Sequence, residues 1–169
     1  LLKLMKLCPL TDIDLEKVLR KIRLSLLSSV SEISGKSELL IFQSALAVQC
    51  FINEYIYPES EIETHALKKL ENIIEKEVRQ GIKPSPNAIL CLASYRPLKE
   101  YSWHNLLSIK DDITEVFQIQ VVEPELELSY ASQIPVFKKI SNEVSSKVRK
   151  QYEVNPYPRW VNSELFLEP

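Results

Sequence analysis

The stretch from Ser37 to Tyr57 places the strongest constraint on how this chain can fold. Leu39, Leu40, Phe42, Ala45, Leu46, Ala47, Val48, Cys50, Phe51, Ile52, Tyr55 and Ile56 fall all round a helical wheel and leave almost no polar face. Pro58 then stops the helix. A helix that is apolar on every side must be enclosed by other elements, so this one is expected to be the spine of a domain. Gln43, Gln49, Asn53 and Glu54 are embedded in it, and any of them that is buried needs a hydrogen-bonding partner.

The remaining sequence is helical in period nearly throughout. A helix opens at Thr11 or Asp12 and carries Leu15, Val18, Leu19, Ile22, Leu26 and Ile33 on one face, ending before Gly35. Ser60 and Glu63 have the spacing of a capping box, opening a helix through Leu67, Leu70, Ile73, Ile74 and Val78 to a C′ glycine at Gly81. A short apolar helix is expected over Asn87–Tyr95, another over Ser102–Ser108, and a third over Asp111–Val122. The β-branched end of the third is also compatible with an extended strand. Pro124 can open a further helix, and Ser141 can cap a last one that runs into Tyr152. The fold class expected is all-α: a single compact multi-helix domain over residues 1–150 around a buried central helix, followed by an extended C-terminal arm over 151–169. The opening LLKLMKLCPL reads as the last turns of a helix whose beginning is missing.

Composition limits function. Only two glycines, Gly35 and Gly81, occur in 169 residues. Nucleotide-binding α/β folds need glycine where backbone approaches phosphate, so a complete Rossmann-type site and a P-loop are excluded. A net charge of −2 gives no reason to expect nucleic-acid binding. The charge is uneven: residues 111–127 are acidic, and residues 138–159 are mainly basic. These two faces suit either mutual or interdomain complementarity, or an anionic ligand on the basic side. Cys8, Cys50 and Cys91 are odd in number and widely spaced, which suits reduced core thiols in a cytoplasmic protein better than a disulfide framework. His65 and His104 are isolated, so no metal site is expected. No apolar run reaches the length of a membrane span, and no membrane association is expected.

Three blocks carry a family resemblance: ALAVQCFINEYIY at Ala45–Tyr57, LASYRPL at Leu92–Leu98, and QYEVNPYPRW at Gln151–Trp160. Together they resemble the region between the tetratricopeptide repeats and the class I S-adenosylmethionine-dependent methyltransferase domain of bacterial fusion proteins. The resemblance covers roughly Asp12 to Trp160, and QYEVNPYPRW is its most specific part. In that family a glycine-rich cofactor loop follows the last block. Here only nine residues follow Trp160, and they contain no glycine. The resemblance therefore implies a helical domain that positions a substrate or partner within a methyltransferase-type protein and is not catalytic alone. S-adenosylmethionine would be the cofactor of the whole protein, and the flanking repeat and catalytic domains, or a separate protein, its partners. The alternative is a free-standing helical protein–protein interaction module.

No catalytic set can be assembled from these residues, and no Ser-His-Asp or Cys-His arrangement has support. The candidates for cofactor contact are Tyr152, Asn155, Tyr157, Arg159 and Trp160. Two prolines stiffen this stretch, while its aromatic rings and guanidinium offer area and directed donors. The arm can cover a cofactor or substrate cleft, or simply join two domains. Gln49, Asn53 and Glu54 form a candidate polar anchor on the spine helix, with Arg96 of the SYRPL loop as partner. Trp103 and His104 can line a pocket or pack a short helix.

Overall fold

The structure, a computed structural model, describes residues 1–32, 37–109, 111–135 and 142–154. Eight α-helices account for most of them: α1 (Leu2–Leu7), α2 (Ile13–Ser28), α3 (Ser37–Ile52), α4 (Glu61–Arg79), α5 (Pro86–Ala93), α6 (Asp111–Phe117), α7 (Glu123–Gln133) and α8 (Glu143–Val154). No strand occurs among the described residues. The chain divides into two compact units, Leu1–Glu125 and Leu126–Pro169.

In the first unit α3 is the spine, packed against α1, α5 and α6. Every residue from Gln43 to Asn53 is buried. Each large aliphatic side chain fully buried there contributes about 1.5–3 kcal/mol of hydrophobic stabilisation. On one side α3 meets Met5, Leu19 and Leu26 through Ala45, Leu46 and Cys50. The helix ends at Ile52, a turn earlier than the apolar pattern suggests. Tyr55 N–H donates to Cys50 O at 2.8 Å and Glu54 N–H to Phe51 O at 3.1 Å, closing a Schellman motif. Glu54 and Tyr55 both sit in the left-handed region, at φ 58° and 55°. The end of α4 closes in the same way, with Ile82 N–H on Glu77 O at 2.9 Å, but there glycine takes the left-handed position, with Gly81 at φ 72°.

Local chemistry sets the other ends. Asp12 caps α2 by accepting from Leu15 N–H at 2.8 Å. The Ser60–Glu63 capping box forms in both directions: Glu63 N–H donates to the Ser60 hydroxyl oxygen at 3.3 Å, and Ser60 N–H donates to the Glu63 carboxylate at 2.8 Å. Ser85 caps α5 with Pro86 at its first position, where a missing N–H costs nothing. Asn142 caps α8, accepting from Ser145 N–H at 3.1 Å, and Ser141, the cap expected from the sequence, lies outside the described residues. Val18 and Ile73 fit the apolar pattern of their helices yet are half-exposed, because their neighbours Leu19 and Ile74 take the inward positions.

Two 3-10 turns, Leu98–Glu100 and His104–Leu106, replace the single helix expected over Ser102–Ser108. The β-branched run after Phe117 is neither strand nor α-helix but a π-helical turn, Gln118–Val122. Its position follows from Pro124, which has no N–H and whose ring would press on the Gln120 carbonyl four residues back. The widened turn relieves that contact and carries the Gln120 side chain into the core, fully buried. There the Gln120 amide donates to Ala47 O at 3.3 Å and Ala93 O at 3.0 Å, and accepts from Leu98 N–H at 3.1 Å. One side chain thus ties α3, the end of α5 and the following turn together.

In the second unit, α8 extends through Gln151 to Val154, so the start of the expected extended arm is helical. Val144, Val148 and Tyr152 form an i, i+4, i+8 stripe that is 69%, 45% and 59% exposed.

Candidate functional site

The first unit has a charged centre. Arg23 lies on the apolar face of α2, between Leu19 and Leu27, and is 1% exposed. One of its terminal nitrogens donates to Tyr57 O at 3.4 Å and Pro58 O at 3.3 Å, and lies 3.6 Å from the Glu63 carboxylate. Its guanidinium carbon is 4.1 Å from the Tyr95 ring centroid and 5.7 Å from that of Tyr57. The Tyr95 hydroxyl donates to Glu63 at 2.9 Å. Burying an ion pair is costly unless further hydrogen bonds and good geometry offset the lost hydration. Here those come from the backbone carbonyls, from two aromatic faces and from the capping box that already holds Glu63.

The ionisation of the neighbours reflects this arrangement. Burial alone would push the Glu63 carboxyl up, but Ser60 N–H, the Ser60 and Tyr95 hydroxyls and Arg23 together hold it below its ordinary 4.5. Burial pushes the thiols of Cys50 and Cys91 up from 9.0 to about 12, a rise only partly opposed by Arg23. The Tyr57 phenol rises from 10.0 to about 12, also through burial. The centre is thus a fixed cation and carboxylate among protonated, unreactive acids. That chemistry suits a structural lock and supplies neither nucleophile nor general base.

The four residues grouped as a polar anchor do not meet as a set. Gln49 is fully buried, and in the amide orientation that satisfies its surroundings it accepts from Leu10 N–H at 3.1 Å and donates to Met5 O and Cys8 O at 3.1 and 3.2 Å. It therefore holds the chain after α1 against the spine. Asn53 is buried, and neither atom of its amide meets a hydrogen-bond partner among the described residues. Glu54 is exposed, because the Schellman turn swings it off the helix face. Arg96 pairs with Glu59 instead of Glu54: one terminal nitrogen donates to Glu59 at 3.0 Å and the other makes a second short contact. Trp103 is 2% exposed and stacks on Tyr101 with ring centroids 4.7 Å apart, so it packs a turn. His104 bridges Tyr101 O at 2.7 Å and Glu125 at 3.2 Å. Of the arm candidates, Tyr152 is an exposed member of the α8 stripe, while Asn155, Tyr157, Arg159 and Trp160 lie outside the described residues.

The structure does bring together two blocks that are 34 residues apart in the chain. Tyr55 donates to Ala93 O at 3.1 Å, and Tyr57 and Tyr95 flank Arg23 from two sides. Sequence reasoning missed Arg23. The available signal was a lone charge at the i+4 position from Leu19, inside an otherwise apolar stripe. It also missed a cleft of about 300 Å³ beside the start of α5. Ile89, Leu107 and Ile113 form its buried lining, Pro84 and Pro86 its half-buried lining, and Lys83, Ser85 and Ser108 its exposed edge.

Among the described residues no three His, Cys, Asp or Glu side chains are grouped to hold a metal ion, and no helix is long and apolar enough to cross a membrane. No protein-family model, curated protein or solved structure matches the chain.

Proposed function

We propose that this chain is a substrate- or partner-positioning helical domain of a bacterial, cytoplasmic methyltransferase-type protein, with no methyl transfer of its own. The reading rests on the resemblance of its three blocks. The observation that carries it further is the meeting of two of them around Arg23 and at the Tyr55–Ala93 hydrogen bond. The side chains of these two blocks are engaged in holding one structural unit together, which suits a positioning domain better than a catalytic one. S-adenosylmethionine would be bound by a neighbouring catalytic domain, and the partners would be that domain and the flanking repeats.

Two measurements test this. The reading frame on both sides of the segment should encode helical repeats upstream and a glycine-rich strand–turn–helix downstream. Titration of S-adenosylmethionine into the 169-residue chain should give no heat, whereas the longer protein should bind it. Cofactor binding or methyl transfer by the 169 residues alone would overturn the proposal.

The exposed Val144–Val148–Tyr152 stripe of α8 favours a second reading, a free-standing interaction module. That reading expects a stop codon close to the codon for Pro169 and no catalytic domain in the same protein.

A further inference from the structure

The cleft beside α5 has the makings of a ligand site. Its volume of about 300 Å³ lies at the small end of the range for small-molecule pockets. Its buried lining is aliphatic: Ile89 is 1% exposed, Ile113 5% and Leu107 9%. Pro84 and Pro86 restrict the backbone beside it, so the shape costs little entropy to maintain when something binds. The residues next to the lining in sequence are also apolar and face water: Ile82 (52% exposed), Leu106 (60%) and Ile109 (38%). An apolar concavity open to water gains by being covered.

Lys83 decides the chemistry of the occupant. Among the described residues it is the one titratable group that lines the cleft, it is exposed, and no ion pair joins it to another described residue. Ser85 turns its hydroxyl oxygen to the backbone of α5, accepting from Ala88 N–H at 3.2 Å, whereas Ser108 stands on the exposed edge.

We infer that the cleft binds a small, mainly apolar molecule carrying one carboxylate, with the apolar body against Ile89, Leu107 and Ile113 and the carboxylate at Lys83. All its described lining residues belong to the first unit.

The test is an NMR titration of the 169-residue chain with 4-phenylbutyrate, and in parallel with 4-phenylbutylamine and the neutral 4-phenylbutanol. A ligand of about twelve non-hydrogen atoms at ordinary efficiency should bind with a Kd of about 1 mM. Shifts should concentrate at Ile89, Leu107 and Ile113, and the carboxylate should bind about three- to five-fold tighter than the alcohol, the size of an exposed charge pair. Lys83→Glu should remove that preference while leaving the alcohol unchanged. Ser108→Trp, at an exposed position that does not threaten folding, should block all three probes. Shifts scattered elsewhere, or binding insensitive to Ser108→Trp, would overturn the site. Preference for the amine would overturn the assignment to Lys83.

Discussion

The Arg23 guanidinium lies over the Tyr95 ring, 4.1 Å from its centroid, while the Tyr95 hydroxyl holds the Glu63 carboxylate that pairs with Arg23. Three elements therefore share one buried charge. Arg23→Ala should cost about 3–5 kcal/mol in urea denaturation, because it leaves Glu63 buried without its counter-charge. The double variant Arg23→Met with Glu63→Gln should recover much of that loss, since it removes both charges and keeps the volume. Additive losses in the cycle would show that the two residues do not act as a pair.

Glu63 also gives stability a pH signature. Its folded pKa lies below the unfolded value of 4.5, so the unfolded state takes up the proton first as pH falls. Its contribution is complete above pH 4.5 and is lost as pH drops through the folded value. Glu63→Gln should flatten the acid side of the stability–pH curve relative to the parent and leave the slope near neutrality unchanged. A parallel acid slope in both proteins would refute the assignment.

The three thiols should separate cleanly. Cys8 is exposed, whereas Cys50 and Cys91 are buried with pKa values pushed from 9.0 to about 12. Ellman's reagent at about pH 7.5 should titrate one thiol promptly and the other two only after denaturation. The raised values also predict that stability contributed by the buried thiols is full below pH 9 and falls as pH rises toward 12. Prompt reaction of all three would mean that the first unit opens readily.

Glu54 occupies the C′ position of a Schellman turn that glycine occupies after α4. A side chain in the left-handed region costs about 1–2 kcal/mol, part of which glycine gives back through greater freedom in the unfolded chain. Glu54→Gly should therefore stabilise by about 1 kcal/mol and raise the melting temperature by about 2–4 °C. The same change at neighbouring Tyr55 should destabilise, because it removes the hydrogen bond to Ala93 and the edge contact with Phe51.

The chain's own periodicity determined that it is all-α, which segment is the spine and where most helices begin. These are local matters: side-chain spacing against a 3.6-residue turn, and cap residues such as Ser60, Glu63 and Gly81 that satisfy backbone groups within a few positions. Tertiary structure decided what depends on distant partners. Arg23 reads as one more surface cation until Tyr57, Glu63 and Tyr95 converge on it from elsewhere in the chain. Arg96 has several carboxylates within loop reach, and only the early end of α3 turns Glu54 away and leaves Glu59 beside it. The cleft is made by segments that surround Lys83 and Leu107, about two dozen positions apart, and no local pattern encodes a concavity between them.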